Sequence, residues 1–446
     1  MSNVIHATEK KLLQVKAEAP EQRAGSAPDV HDPYSELLLD NAERLGLRLC
    51  RDAIWHGQQC NWVGPSMEFV DARWQVVHRN LGTDMYAGTA GIALFLAELY
   101  RYRPANAIKT TAIAALNNAT ANRDKLLPSV KAGYYCGLIG LAHTIQKLGQ
   151  QFDTDAWQAR YAQIVDELLA LGPDSNGVDV IMGSAGAIPA LIAQYKISGN
   201  DALLQLAVQH AEQLLSHADV QATGCSWDTL NTGDQHPHLT GYAHGAAGVS
   251  MALAEMYSIT REQRYADAAR AGFDYENSHF DSSQKNWPDF RNLESMGISQ
   301  DTKVCAVAWC HGSAGIGMSR LRSFELLKDE RLKQDAHTAV GTTQSLLTQY
   351  LQAPGFDFTY CHGAIGDAEL LLLADHYLEG NHHREYVCQL LKWGIETYEQ
   401  HGLAWPSGVP DAGESPGLFL GTAGIGHFML RAANPAEVSS VLLPDT

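Results

Sequence analysis

Seven Gly-x-x-Gly tetrads punctuate this chain, beginning at Gly88, Gly137, Gly183, Gly245, Gly312, Gly363 and Gly421. Their starts lie 46 to 67 residues apart, the spacing of a repeat built on a pair of helices. Each tetrad opens a short apolar run: GIALFLAELY, GLAHTIQKL, GAIPALIAQY, GVSMALAEMY, GIGMSRLRSF, GDAELLLLADHY and GIGHFMLRAA. Between them, segments 38–54, 156–171, 200–217, 262–277, 329–351 and 383–400 carry apolar residues every three or four positions, with charged opposite faces. A buried helix type alternating with an amphipathic one predicts an all-α protein. We expect an α/α toroid of about seven inner and about seven outer helices, with the inner helices starting together at one mouth. The glycines are expected to serve sharp turns and close helix approach rather than ligand contact.

The repeats run from about 85 to 431, which predicts one domain over 36–446. Residues 1–35 are polar, with EKK, EAPEQ and SAPDVHDP, and are expected to form a flexible tail. A net charge of −18 argues against a nucleic-acid or anionic-membrane partner. No stretch approaches the roughly 18 apolar residues of a membrane span, and the N-terminus lacks the apolar core of a signal peptide. Eight irregularly spaced cysteines do not form a disulfide framework. Reduced thiols in a cytoplasmic protein, a subset of them binding metal, are the expectation.

The chemistry sits just ahead of the tetrads. Cys310 and Cys361 each stand two places before a tetrad, and His244, His311 and His362 one place before. Repetition should bring equivalent positions together, so thiolate and imidazole donors converge. Zinc favours such donors, and a catalytic zinc keeps three protein ligands and an open fourth position. Cys310, Cys361 and His362 meet that requirement. His311, or Cys136 in the same slot of the second repeat, would close the sphere and make the metal structural. Buried thiols beside a capping histidine are the simpler alternative, and spacing does not decide between them. The loops before the fourth, fifth and seventh tetrads (218–240, 278–307 and 402–418) are long and hold Trp227, Trp287, Trp405, His236 and His238. They either line a binding channel or pack as ordinary loops.

The runs AWCHGSAGIG, YCHGAIGD and GYAHGAAG resemble the lanthipeptide cyclase (LanC-like) family, zinc enzymes built as α/α toroids. NWVG at 61–64, DVIMGSAGAI at 179–188, NWPDFR at 286–291 and the tail SPGLFLGTAGIGHFMLRAANP extend the likeness over about 38–446. The NWVG start and that tail are similar to the cyclase half of class II, LanM-type synthetases. Ala314 and Ala87 depart from that subfamily's pattern, where proline and aspartate are common. By this resemblance the zinc ligands are Cys310, Cys361 and His362, the active-site histidine is His244 and the active-site acid is Asp179. His311 is not a family ligand. The implied reaction adds peptide cysteine thiols to dehydroalanine or dehydrobutyrine in the same peptide, forming (methyl)lanthionine. The implied partners are a dehydrated precursor peptide and a separate dehydratase, since the dehydratase half of a synthetase is missing. Three other readings stay open: a zinc thiol-activating transferase of prenyltransferase type, a glycosidase toroid with paired carboxylates, and a non-catalytic scaffold or peptide-binding module.

Overall fold

The computed structural model describes residues 32–70, 73–152, 155–230, 237–291, 304–352, 355–380 and 382–444. Among them are fourteen α-helices and six short strands. Seven inner helices follow the tetrads: α2 (Thr89–Tyr102), α4 (Leu138–Phe152), α6 (Ser184–Ser198), α8 (Ala246–Thr260), α10 (Ser313–Leu327), α12 (Ala364–Tyr377) and α14 (Thr422–Ala433). Seven outer helices alternate with them: α1 (Ser35–Asp52), α3 (Asn106–Ala121), α5 (Asp155–Leu171), α7 (Asp201–Ser216), α9 (Gln263–Ser278), α11 (Glu330–Tyr350) and α13 (Arg384–Gly394), the last continuing as a π-turn over Ile395–Glu399. Each inner helix packs on the outer helix that follows it and on its inner neighbours. The ring closes where α14 meets α2, and α1 supplies the outer partner of α14. This is the expected α/α toroid.

Most of the expected tail, residues 1–31, lies outside the described residues. The remainder belongs to the domain. Asp32 accepts from the backbone N–H of Tyr34 at 3.0 Å and from Ser35 Oγ at 2.6 Å, and pairs with Arg384. Two further departures are local. The outer helix α3 has no charged stripe; its sequence NAIKTTAIAALNNATA is Ala- and Thr-rich and therefore shows no amphipathic period. Three antiparallel hairpins also interrupt the helices: β1–β2 (Ile54–His56 with Gln59–Asn61), β3–β4 (Val63–Val70 with Arg73–Asn80) and β5–β6 (Asp219–Gln221 with Gly224–Ser226).

The tetrads work by close approach. A Cβ on the second glycine of every tetrad (Gly91, Gly140, Gly186, Gly248, Gly315, Gly366 or Gly424) would overlap the carbonyl oxygen six residues earlier. Any side chain there would push the pre-helix turn off the helix it enters. The turns are stitched to one another around the mouth. Tyr86 N donates to Tyr135 O at 3.0 Å, Val180 N to Ala243 O at 3.0 Å, Ala243 N to Cys310 O at 3.1 Å and Cys310 N to Cys361 O at 3.2 Å. Cys361 N then donates to Phe419 O at 3.2 Å, and Phe419 N returns to Tyr86 O at 2.9 Å. This ladder satisfies pre-helix backbone groups that no helix can reach. It also makes residues two places before consecutive tetrads direct neighbours.

Below the ladder the ring axis is filled. Tyr135, Trp309 and Phe419 meet pairwise with centroids 5.1 to 5.3 Å apart, Tyr86 stacks on Phe419 at 4.7 Å, and Tyr242 and Tyr360 flank them. Tyr135 Oη donates to Leu442 O at 2.9 Å, so the C-terminal segment reaches this plug from the other end. The toroid is therefore a cup with a floor, not a tube. No helix among the described residues is long and apolar enough to cross a membrane.

Candidate metal and proton-transfer site

The backbone ladder sets Cys310 and Cys361 side by side at the mouth, above the aromatic floor. Their sulfurs share a hydrogen bond, and Tyr86 Oη bonds the Cys361 sulfur. The bond from Cys361 opposes burial and, with the nearby charges of His362, Arg291 and His244, brings the Cys310 thiol down to about 7. The same shared proton, together with burial, pushes the Cys361 thiol well above its usual range. The two thiols therefore differ in acidity, Cys310 being the one that ionises first. His362 follows Cys361, and its Nδ1 pairs with Asp357. Burial disfavours the imidazolium, but the hydrogen bond and charge of Asp357 prevail and hold its pKa above the ordinary value. Asp357 is itself fixed by accepting from Thr359 N at 2.9 Å.

Among the described residues no three His, Cys, Asp or Glu side chains converge at metal-ligand spacing. The donor chemistry nonetheless fits zinc: two adjacent sulfurs, one already acidic, and an imidazole whose Nδ1 is taken by a carboxylate, leaving Nε2 as the donor. A carboxylate behind a ligand histidine is the usual outer-shell support of a metal site.

His244 stands one place before the fourth tetrad, and its Nδ1 lies 2.6 Å from Asp179 Oδ2. An ionised carboxylate only accepts, so this bond uses Nδ1–H, and in the neutral ring the lone pair is then on Nε2. Asp179 Oδ1 accepts from Met182 N at 2.8 Å, closing the turn into the third tetrad. The helix N-cap is Gly183, so Asp179 is a turn anchor and a histidine partner at once. His244 keeps 25% of its side chain exposed while Asp179 keeps 6%; the imidazole faces the mouth and the acid sits behind it.

Asp357 and Arg291 carried no assignment from sequence. Arg291 forms a fork on Asp289, with Nη2 to Oδ2 at 2.6 Å and Nε to Oδ1 at 3.1 Å, and its charge acts on both thiols. It was visible only as the last letter of NWPDFR. His311 is 1% exposed with neither ring nitrogen hydrogen-bonded, 5.9 Å from the His244 ring. Burial, then the Arg291 charge, pushes its pKa down to about 3. It is a neutral spacer against His244. Cys136 lies close enough to Asp84 and Asp179 for their charges, added to burial, to keep its thiol well above the ordinary range.

The tryptophans expected in the loops do not line the mouth. Trp227, Trp287 and Trp405 are each 1% exposed. Trp227 Nε1 donates to Leu214 O at 2.8 Å and Trp405 Nε1 to Glu399 at 2.6 Å, so they anchor their loops to outer helices. His238 accepts or donates to Ser226 Oγ at 2.8 Å, while His236 lies outside the described residues.

The model of the family described as "Lanthionine synthetase C-like protein" matches residues 80–443. The chain belongs to that family. It is 24% identical over 442 residues to the lacticin 481/lactococcin biosynthesis protein LcnDR2 of Lactococcus lactis subsp. lactis, covering 95% of this chain and 43% of that protein. It is 24% identical over 197 residues to glutathione S-transferase LANCL1 of Danio rerio, covering 44% of each. The match to each of these curated relatives spans less than half of that relative's length. Among solved structures, nisin cyclase superposes with a TM-score of 0.60 at 16% identity, over 90% of this chain and 95% of that one, which is a likeness of fold. Within the lanthionine synthetase C-like toroid, the two cysteine slots and the His244–Asp179 pair occupy consecutive repeats at a single mouth.

Proposed function

We propose that this chain is a zinc-dependent cyclase that joins peptide cysteine thiols to dehydroalanine or dehydrobutyrine in the same peptide, forming (methyl)lanthionine. The observation that carries the reading is the placement of a paired-thiol site one repeat away from a mouth-facing histidine held by a buried carboxylate. Cys310, Cys361 and His362 would hold the ion, which when bound supplies the acidity that makes an incoming thiol a thiolate at neutral pH. Two thiolates and a neutral imidazole cancel the dication, so a third sulfur stays electron-rich and able to attack.

His244 manages the proton. With Nδ1–H on Asp179, its Nε2 lone pair accepts the proton of the entering thiol, and Asp179 stabilises the resulting cation. After sulfur attacks the β-carbon, the α-carbon is left as an enolate, and Nε2–H returns the proton there. No atom is gained or lost overall. Arg291 sets a fixed positive charge beside the same thiols, which favours their ionised form. The floored cup supports entry and exit on one face, so flanking peptide must lie over the rim.

The dehydrated peptide requires a dehydratase, which we assign to a separate activity. The test is incubation of the metal-loaded protein with a dehydrated precursor. Loss of free thiol without change of mass, abolished in Cys361→Ala, supports the cyclase. Unchanged thiol with zinc retained supports a scaffold. The name of the zebrafish relative suggests a control, glutathione offered with a dehydroalanine amide, which would reveal intermolecular addition instead.

A further inference from the structure

The outer wall holds a second cleft, of about 330 Å³, between α3 and α5 and beneath the β1–β2 turn. Its polar lining is Gln58, Gln59, Asn117, Arg123, Arg160 and Gln163. No carboxylate lines it, in a protein of net charge −18. Arg123 is committed, with Nε 3.1 Å from Glu167 and Nη1 donating to Thr120 O at 2.9 Å. Arg160 is not. Its Nη1 donates to Asn117 Oδ1 at 2.5 Å and its guanidinium lies 4.7 Å from the Trp157 ring. Nε and Nη2 have no partner among the described residues, nor do the side-chain amides of Gln58 and Gln163. Most other described arginines pair with carboxylates. In the larger cavity at the base of the ring, about 530 Å³, each lining arginine is paired in this way: Arg322 with Glu255 and Glu325, Arg384 with Asp32 and Arg431 with Glu369.

We propose that this cleft binds an acidic, extended segment of the peptide substrate, a carboxylate on Arg160 and its backbone along the amides. The substrate class rests on the cyclase reading above. A single uncommitted guanidinium matches one carboxylate through two parallel N–H bonds. A phosphate dianion would call on a second free cation, which Arg123 does not offer. Side-chain amides both donate and accept, so Gln58 and Gln163 suit the alternating groups of a peptide backbone. Ile54 and Trp55 on the adjoining hairpin are 59% and 48% exposed, apolar surface for a neighbouring side chain. The chain's net charge of −18 disfavours such a segment over most of the protein, which leaves the cleft as its preferred place.

The experiment uses the full chain loaded with zinc and a fluorescein-labelled decapeptide bearing a central Glu-Asp pair, without cysteine or dehydro residues. Binding then reports on the cleft whatever the outcome of the cyclisation assay. Anisotropy should show binding that weakens with salt and that is lost in the Gln-Asn peptide. Arg160→Gln should weaken it about tenfold, the loss of a hydrogen-bonded charge pair. Arg160→Lys, which keeps the charge without the fork, should fall between. Absence of binding, or equal binding by Arg160→Gln, overturns the proposal. Displacement by inorganic phosphate at the peptide's own concentration overturns it in favour of a small-anion site.

Discussion

Replacing Asp179 by Asn separates the carboxylate's two duties. The Asn carbonyl oxygen can keep the bond from Met182 N, now 2.8 Å, so the turn into α6 survives. The other terminus becomes an NH2 group facing His244 Nδ1, which is 2.6 Å away in the native pairing. A donor there forces Nδ1 to accept and moves the ring proton to Nε2, the nitrogen that must receive the thiol proton. The wrong tautomer, with loss of the countercharge, lowers turnover about ten-thousandfold in the analogous histidine–carboxylate pair of serine proteases. That equals about 5.5 kcal/mol of barrier, and we expect a loss of the same order here. Asp179→Ala should match that loss and in addition cost about 1 kcal/mol of stability from the missing turn bond. The assay is the initial rate of thiol disappearance at saturating dehydrated peptide, with zinc content measured on the same sample. A rate within tenfold of wild type, at full zinc, refutes the proton-transfer role of the pair. Loss of zinc in Asp179→Asn refutes the separation of the pair from the metal slots.

Zinc uptake should release about one proton at pH 8 and about two from the thiols at pH 6. Cys310, at about 7, is already ionised at the higher pH, whereas Cys361, well above its usual range, is not. Calorimetry in two buffers of different ionisation enthalpy reads the number, and two protons at pH 8 would contradict the shared-proton pair. Asp357→Asn should weaken zinc binding about 10- to 100-fold by chelator competition, the usual cost of losing a ligand's outer-shell partner. Because Asp357 raises the His362 pKa, proton competition for that ligand should also shift to lower pH in this variant. Gly315→Ala should destabilise the fold by about 1–3 kcal/mol in denaturant titration, since its Cβ would overlap Trp309 O and lie 2.6 Å from Tyr242 Cβ. Gly341→Ala, at an exposed site in α11 where a Cβ meets nothing within 4 Å, should instead stabilise by about 0.5–1 kcal/mol.

The inner helices and the slots ahead of them were legible because the tetrad glycines record a steric demand, the overlap of any Cβ with a carbonyl, that leaves no other residue in place. The outer helices with charged stripes were equally plain. α3 was not, because Ala and Thr pack against neighbours without producing an amphipathic period. The loop tryptophans stayed undecided for a related reason: aromatic residues among acids fit a binding wall as well as loop packing, and only the structure shows each reaching back to an oxygen of an outer element. Asp357 and Arg291 were hidden because their importance lies in what they touch. Asp357 is five residues before the histidine it supports, and Arg291 is nineteen residues before the cysteine whose charge it feels. Nothing in their local sequence distinguishes them from surface residues.

The mouth ladder explains how one symmetric frame yields a one-sided site. Seven equivalent positions stand two places before the tetrads: Tyr86, Tyr135, Ile181, Ala243, Cys310, Cys361 and Phe419. The large aromatic ones lean inward and build the floor, so they forbid ligands in their own repeats. Ala243 is small and fully buried, leaving room beside Cys310 for the neighbouring imidazoles. Only where two consecutive slots hold cysteine does the backbone hydrogen bond between them, 3.2 Å from Cys310 N to Cys361 O, set two sulfurs side by side. The next position along repeats the logic with His244, His311 and His362: the middle one is buried and neutral with Asp289 3.9 Å from its Nδ1, while the outer two each hold a carboxylate close on Nδ1. On the proposed function, metal binding and proton transfer would fall to opposite ends of one histidine row. The buried His311, its ring 5.9 Å from that of His244, would then keep the proton-transfer imidazole off the metal.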